Sequence, residues 1–426
     1  MKPLPMLLIT LALHAPAGAE PVARRTESTD PLTLRDALAL AIAGSPELRA
    51  ASRTVRVHDA LTAQAAVLPN PELRGEVENV GGSGAREGFE DTESTVRVLQ
   101  RIELGGKRGA RRRVAEIDRD LAAWDYEAAR RDVVASTTKA FVTVLAAQER
   151  RVLAAELERL ARETVAAVER SVAAGAAVPV EALRARVALG RTEVEGARAE
   201  RELEAARTQL AVRWGATQVA LPRVRGDLTR LDPLPSEAAL ASALADNPDL
   251  ARWTTERAAR RAALALERAR RIPDVTVGAG ARHFSDNGDN ALLVELSLPL
   301  PIFDRNRGGV VAAREEVAKG RDEAEVARVD ARVALSEAYE RLAAAHDEAF
   351  SFASRVLPDA QRSASGTMAA FRQGLLRPVD VLEAQRALFE LQGDHLRALE
   401  RLHLAAADVE RLTGMQLHDL SNGGAR

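Results

Sequence analysis

Apolar and polar residues alternate with a period of two in four short segments of the chain, and this period is typical of strands. The alternation is clearest where Val275, Val277, Ala279 and Ala281 are separated by polar residues or glycine. It is weaker in the first half of the chain. The predicted strands lie at about 71–79, 94–102, 274–283 and 291–300.

A helical stripe follows each pair of predicted strands. Val114, Ile117, Leu121 and Trp124 step by three and four, as in a coiled coil. The predicted helices, two long and two returning, lie at about 109–173, 179–214, 308–372 and 378–413. Each long helix would extend for about 98 Å at ~1.5 Å per residue, which is too long for burial in one globule. Pro358 predicts a kink or a break in the second long helix.

The same order of predicted helices and strands occurs twice along the chain. Residues 45–48, Ser-Pro-Glu-Leu, recur as Asn-Pro-Asp-Leu at 247–250, and each time a capping residue precedes a proline suited to the first helical position. This match and a later one between residues 175–183 and 374–382 predict a first repeat at 20–220, a proline-containing linker at 221–236 and a second repeat at 237–426.

The beginning of the chain predicts export. Lys2, an apolar run at 4–15 and Ala17-Gly18-Ala19 have the pattern of a secretory signal peptide at 1–19. No other uncharged run approaches the ~20 residues that a spanning helix needs, so we expect membrane insertion to use strands.

Composition and motifs narrow the chemistry. The chain contains no cysteine, which excludes disulfides, thiolate ligands and a lipid anchor on cysteine. A formal charge of −2 supplies no basic field for nucleic acid. The usual phosphate-binding, hydrolase and zinc-protease motifs are absent. We therefore predict a protein that is not an enzyme, has no cofactor or metal site, and takes its energy from a partner.

Four strands cannot lie alone in a bilayer, because their edge amides and carbonyls would lack partners. Membrane barrels have at least about eight strands, so several chains would have to build one. The predicted fold is therefore mainly α with a membrane β part, formed by long antiparallel coiled-coil helices and an oligomeric β-barrel. A soluble periplasmic coiled-coil adaptor remains the alternative, favoured by scarce aromatic residues near the hairpins: Phe89, Phe284 and Phe303.

At these motifs the chain resembles the TolC-like outer membrane efflux family, from Leu34 to Gly414. The specific segments are 45–48, 175–183, 247–250 and 374–382. Within that family, 102–108 and 298–306 look like the CzcC-type branch of heavy-metal efflux proteins.

The resemblance implies a homotrimer with a twelve-stranded barrel in the outer membrane of a Gram-negative bacterium, in contact with its lipid, and a large periplasmic extension. It also implies a periplasmic adaptor and an inner-membrane resistance–nodulation–division pump as partners. The implied function is passive conduction of substrate, with heavy-metal cations as the leading class. The same channel fold serving drug efflux or type I secretion is the alternative.

Two helix reversals are candidate docking sites. Gly175 and Gly374 lie where helices turn back, and the resemblance places these turns at the periplasmic tip. Pro179 and Pro378 suit the first turn of each return helix. Glu181 and Arg377 complete the predicted tip residues for adaptor docking, a role that is compatible with simple turn formation.

Asp380 and Glu383 are three residues apart and so share one helix face. The resemblance matches them to acidic positions that ring a closed periplasmic aperture. The alternative is that Asp380 only complements the helix amino terminus, as Glu181 would in the first half. Arg184 stands where the first half would place the second acid.

Two further groups predict little chemistry. Glu400 and His403 form a single Glu-x-x-His, which predicts a surface histidine because a carboxylate-bridged site needs a second copy. The arginines at 108 and 111–113 are expected either to meet lipid phosphates or to form a solvated helix face.

Overall fold

The computed structural model describes residues 31–216, 221, 223–373, 375, 376 and 378–417. The predicted signal peptide at 1–19 lies outside these residues. The first half contains α1 Leu34–Gly44, α2 Pro46–Ala65, β1 Glu72–Glu78, β2 Glu93–Ile102, α3 Lys107–Ala173 and α4 Pro179–Val212. The second half contains α5 Glu237–Ala243, α6 Pro248–Ala269, β3 Val275–Phe284, β4 Asn290–Ser297, α7 Arg307–Ser351, α8 Leu357–Arg372 and α9 Pro378–Thr413.

The helix that precedes each strand pair begins with the capping pattern seen in the sequence. The hydroxyl of Ser45 accepts a hydrogen bond from the Leu48 amide at 3.4 Å, and the side chain of Asn247 accepts one from Asp249 at 2.7 Å. A proline is the first residue of both helices, where its missing N–H is not needed.

Helix α3 is the central element, packing against α2 and α4 of its own half and against α6 and α9 of the other. The hydrophobic core accordingly contains residues of both halves. Its largest fully buried members include Phe141, Leu210, Leu240, Leu342 and Leu399. The two repeats therefore share one core. Among the described helices, none has both the length and the apolar character needed to cross a membrane.

The interruption expected near Pro358 is a single π-helical turn at Phe352–Val356, after which the helix continues as α8. Proline has no amide hydrogen for the carbonyl four residues earlier, and its ring crowds that carbonyl. A π turn inserts one extra residue into the helical ladder and so accommodates the misfit without ending the helix.

The four strands form one antiparallel sheet in the order β1-β2-β3-β4. Its central pair joins the two halves, with Val96 opposite Ala281 and Val98 opposite Ala279. Strands β1 and β4 are the edges of the sheet.

Candidate functional site: the sheet faces and the helix tips

One face of the sheet is apolar and exposed. Leu292 and Val294 on β4 are 92% and 90% exposed, and Leu73 on β1 is 76% exposed. The same face carries the exposed residues Val77, Val96, Val98 and Leu296. An apolar surface of this extent marks contact with a membrane or another protein.

The opposite face of the sheet is polar, and Arg97 lies near its centre. Its guanidinium contacts Glu76 on β1 and, through Nη1, Oε2 of Glu295 on β4 at 3.2 Å. The Arg97 side chain is 19% exposed. One arginine of β2 thus connects both edge strands.

Arg282 on β3 makes a second connection on the polar face. It pairs with Glu93 of β2 at 2.5 Å and with Glu78 of β1 at 3.1 Å, and it donates to the Thr95 hydroxyl at 3.0 Å. Together the two arginines link strands from both repeats. The sheet therefore has one apolar and one ion-paired face, as the wall of a water-filled membrane barrel requires.

The arginines that follow β2 are mostly paired. Arg111 forms a two-pronged contact with Glu103 at 2.6 and 3.0 Å and also donates to the carbonyls of Ala65 and Val67. Arg112 and Arg113 both pair with Glu116. Arg111 therefore links α3 to the end of α2. This structural role differs from both expectations for the arginine cluster, which were contact with lipid phosphates and a solvated helix face.

The first helix tip is an exposed left-handed turn. Gly175 has φ +72, and apart from its two chain neighbours no residue lies within 4 Å of the position that a Cβ would take. Its amide donates to the Val172 carbonyl at 3.0 Å, which closes the end of α3. Pro179 is the first residue of α4 and is exposed, while Glu181 lies half-buried in the first turn.

The second tip is described from the start of α9. Gly374 and Arg377 lie outside the described residues, and Pro378 is the first residue of α9. Asp380 lies half-buried in its first turn, and Glu383 is exposed one turn further along. The two acids are thus placed at the beginning of the helix, as the sequence predicted.

The expectation that His403 is a surface histidine is wrong. Its side chain is 2% exposed, and Nε2 lies 2.9 Å from the Leu228 carbonyl in the linker. Glu400 pairs with Arg150 of α3 at 2.5 Å. The two residues of the Glu-x-x-His pattern therefore contact different partners. A local signal existed, because His403 continues the apolar stripe of Leu399 and Ala406 on α9.

Sequence reasoning also missed an exposed apolar stripe on α4. Val180, Leu183, Val187 and Val194 are 48–70% exposed and repeat with the spacing of a coiled-coil seam. Within the described chain, this seam faces no partner helix.

The family model for outer membrane efflux proteins matches residues 37–216 and 239–415, one segment in each half. The chain therefore belongs to the outer membrane efflux protein family, whose members are efflux components and not enzymes.

Two curated relatives of the chain are metal-resistance proteins. It is 34% identical to the cobalt-zinc-cadmium resistance protein CzcC of Cupriavidus metallidurans, over 91% of each chain. It is 31% identical to the nickel and cobalt resistance protein CnrC of the same organism, over 73% of this chain and 71% of the relative. The chain is thus a CzcC-type outer membrane efflux protein, located in the outer membrane with a periplasmic extension.

The fold is also similar to that of a solved structure. The open state of the outer membrane channel MtrE from Neisseria gonorrhoeae superposes with a TM-score of 0.73. The match covers 90% of this chain and 89% of that one at 18% identity. This likeness shows a shared architecture of long helices and a four-stranded sheet.

Proposed function

We propose that the chain is the outer-membrane channel of a tripartite resistance–nodulation–division efflux pump and passively conducts heavy-metal cations from the periplasm to the exterior. The observation that carries this proposal is the two-faced sheet, apolar and exposed on one side and ion-paired on the other, attached to helices far longer than a globular core requires. The metal class is supported by the identity to CzcC and CnrC.

The proposal requires three copies of the chain. The edge strands β1 and β4 leave backbone groups to pair, and in hydrocarbon each unpaired group costs several kcal/mol. Three sheets of four strands would close a twelve-stranded barrel without edges. Light scattering of the detergent-solubilised protein should give a trimer, and a monomer with normal strand content would contradict the barrel.

The acids at the start of α9 are proposed to form the periplasmic aperture. Three copies of Asp380 and Glu383 around one axis would create a constriction that favours cations. Like charges held close together cost free energy unless they are solvated or bound to cations. Divalent cations should therefore block the reconstituted channel from the tip side.

Single-channel recording in planar bilayers tests the aperture. The double variant Asp380→Ala/Glu383→Ala should lose most of the divalent block. Glu181→Ala, at the corresponding position of the first tip, is the matched control and should keep it. If Asp380 only complements the helix dipole, Asp380→Ala costs a few tenths to ~1 kcal/mol of helix stability. Block as strong as in the parent would then remain, and the aperture assignment would be wrong.

The substrate class is tested in cells that retain the cognate adaptor and pump but lack this chain. Restoring the chain should restore growth in cobalt, zinc or cadmium salts. Growth restored only against organic drugs would replace the metal assignment with a different substrate for the same channel.

A further inference from the structure

Two glycines of β3, Gly278 and Gly280, lie on the polar face of the sheet. Gly280 is opposite Arg97 and Gly278 is opposite both Leu99 and Glu295. Directly opposite residues of an antiparallel pair point to the same face. Any side chain at these two positions would therefore project from the face that carries the ion pairs.

The space above both glycines is already filled by atoms of β2. A Cβ on Gly280 would lie 2.3 Å from the Val96 carbonyl oxygen and 2.6 Å from Cγ of Arg97, and a Cβ on Gly278 would lie 2.5 Å from Cδ2 of Leu99. Leu99 is only 4% exposed although it belongs to the polar face. The side chains of Arg97 and Leu99 therefore lie flat across β3 instead of standing away from the sheet.

The contact between Arg97 and Glu295 depends on this gap. The two residues belong to β2 and β4, which are separated by β3 and so by two strand spacings of ~4.8 Å each. Their side chains nevertheless meet at 3.2 Å, because they cross a strand without side chains at that level. We name this contact the Arg97–Glu295 bridge.

We propose that Gly278 and Gly280 set the clear width of the channel lumen, because they let the Arg97–Glu295 bridge and Leu99 lie against the wall. This inference rests on the proposed function, in which the polar face lines the lumen. Three chains would place three such bridges at one level of the barrel. A side chain on Gly278 would raise these groups into the path of the substrate.

The absence of cysteine permits a direct test. Ser297 is exposed on the polar face, beyond the bridge as seen from the hairpin loops, and Ser297→Cys supplies a single reactive thiol. Neutral maleimides with polyethylene glycol chains of increasing length are added to intact cells. Their labelling rates report which sizes pass the bridge from outside.

Gly278→Leu should slow the longer maleimides and leave the smallest unchanged. Ala279→Leu is the matched control, because Ala279 is exposed on the opposite, apolar face of the same strand. It should label like the parent with every reagent. Equal labelling of Gly278→Leu and the parent would overturn the inference.

Arg97→Ala tests the same inference when Gly278→Leu does not assemble. A flat arginine obstructs little, so its removal should leave all rates nearly unchanged. Markedly faster labelling by the long reagents would show that Arg97 projects into the lumen, and the inference would fail. If Ser297→Cys in the parent is not labelled from outside by any reagent, the proposed function fails, and this inference fails with it.

Discussion

At the scale of single residues, His403 shows how burial sets a charge state. Burial lowers its pKa, an effect opposed by the Leu228 carbonyl and by the charges of Asp227 and Asp232. The folded chain thus binds fewer protons at this site than the unfolded chain does. The stability that depends on a neutral His403 is fully present above the pKa of the unfolded chain, near 6.5. It is lost as the pH falls below that value towards the lower pKa of the folded chain.

The variant His403→Gln should flatten this dependence on pH. Glutamine does not titrate, and its amide offers a donor for the Leu228 carbonyl. We expect the Tm of the purified protein to fall less between pH 7 and about 5 in the variant than in the parent. Thermal unfolding followed by circular dichroism measures the difference.

His283, which is exposed near the end of β3, provides the control. His283→Gln is the same substitution at an exposed site, and the difference between the slopes of the two variants isolates the effect of burial at His403. An unchanged slope in His403→Gln would mean that other groups cause the acid sensitivity.

The residues that sequence reasoning missed are those whose surroundings come from distant parts of the chain. The partner of His403 is 175 residues away, and the partner of Arg97 on β4 is 198 residues away. In the predicted strand at 94–102, the alternation of Arg97 with Val96 and Val98 indicates that Arg97 faces away from these valines. Only the strand order reveals that it spans the sheet.

At the scale of elements, hydrophobic periodicity was sufficient to locate a helix or strand when one of its faces is uniformly buried or uniformly exposed. The predicted strands at 94–102 and 274–283 lie at Glu93–Ile102 and Val275–Phe284. The position of Pro358 predicted an interruption but not its form, because a π turn depends on how the flanking helices continue. Asp380 and Glu383 of α9 could be placed at the start of a helix. Their neighbours in an assembly would depend on the symmetry that relates the copies of the chain, and a single sequence does not show that symmetry.

The apolar stripe of α4 leads to a prediction about assembly. We expect it to pack against a second copy of the chain, because apolar residues at this spacing form coiled-coil seams. Val187→Glu would then bury an unpaired carboxylate, which costs several kcal/mol. The proposed trimer should then dissociate at lower detergent or denaturant concentration, as measured by light scattering.

Val178→Glu is the matched control for this test. It is the same chemical change at an exposed valine, but it precedes α4 and lies outside the stripe. It should leave the oligomer intact. A trimer equally stable in Val187→Glu would place the α4 stripe away from the subunit contact.

At the scale of the whole molecule, the positions of the hairpin loops fix its orientation in the membrane. The segments 79–92 and 285–289 join the strands on the side opposite the helices. We expect both to face the cell exterior. Epitope tags inserted within 80–92 should be detected on intact cells, with a tag in the α3–α4 turn near Gly175 as the internal control.

Detection of the hairpin tag only after the outer membrane is broken would reverse this orientation. Detection of the Gly175 tag on intact cells would contradict the periplasmic position of the helices.

The sheet also has a consequence for the order of folding. Strands β1 and β2 are neighbours in the chain, and so are β3 and β4, so each hairpin can form locally. Pairing of β2 with β3 must instead close a loop that contains α3, α4, the linker, α5 and α6. Non-local pairings of this kind are slow, because the entropy of loop closure is lost before the contacts form. We therefore expect the wide apolar surface to be completed only after each hairpin has formed.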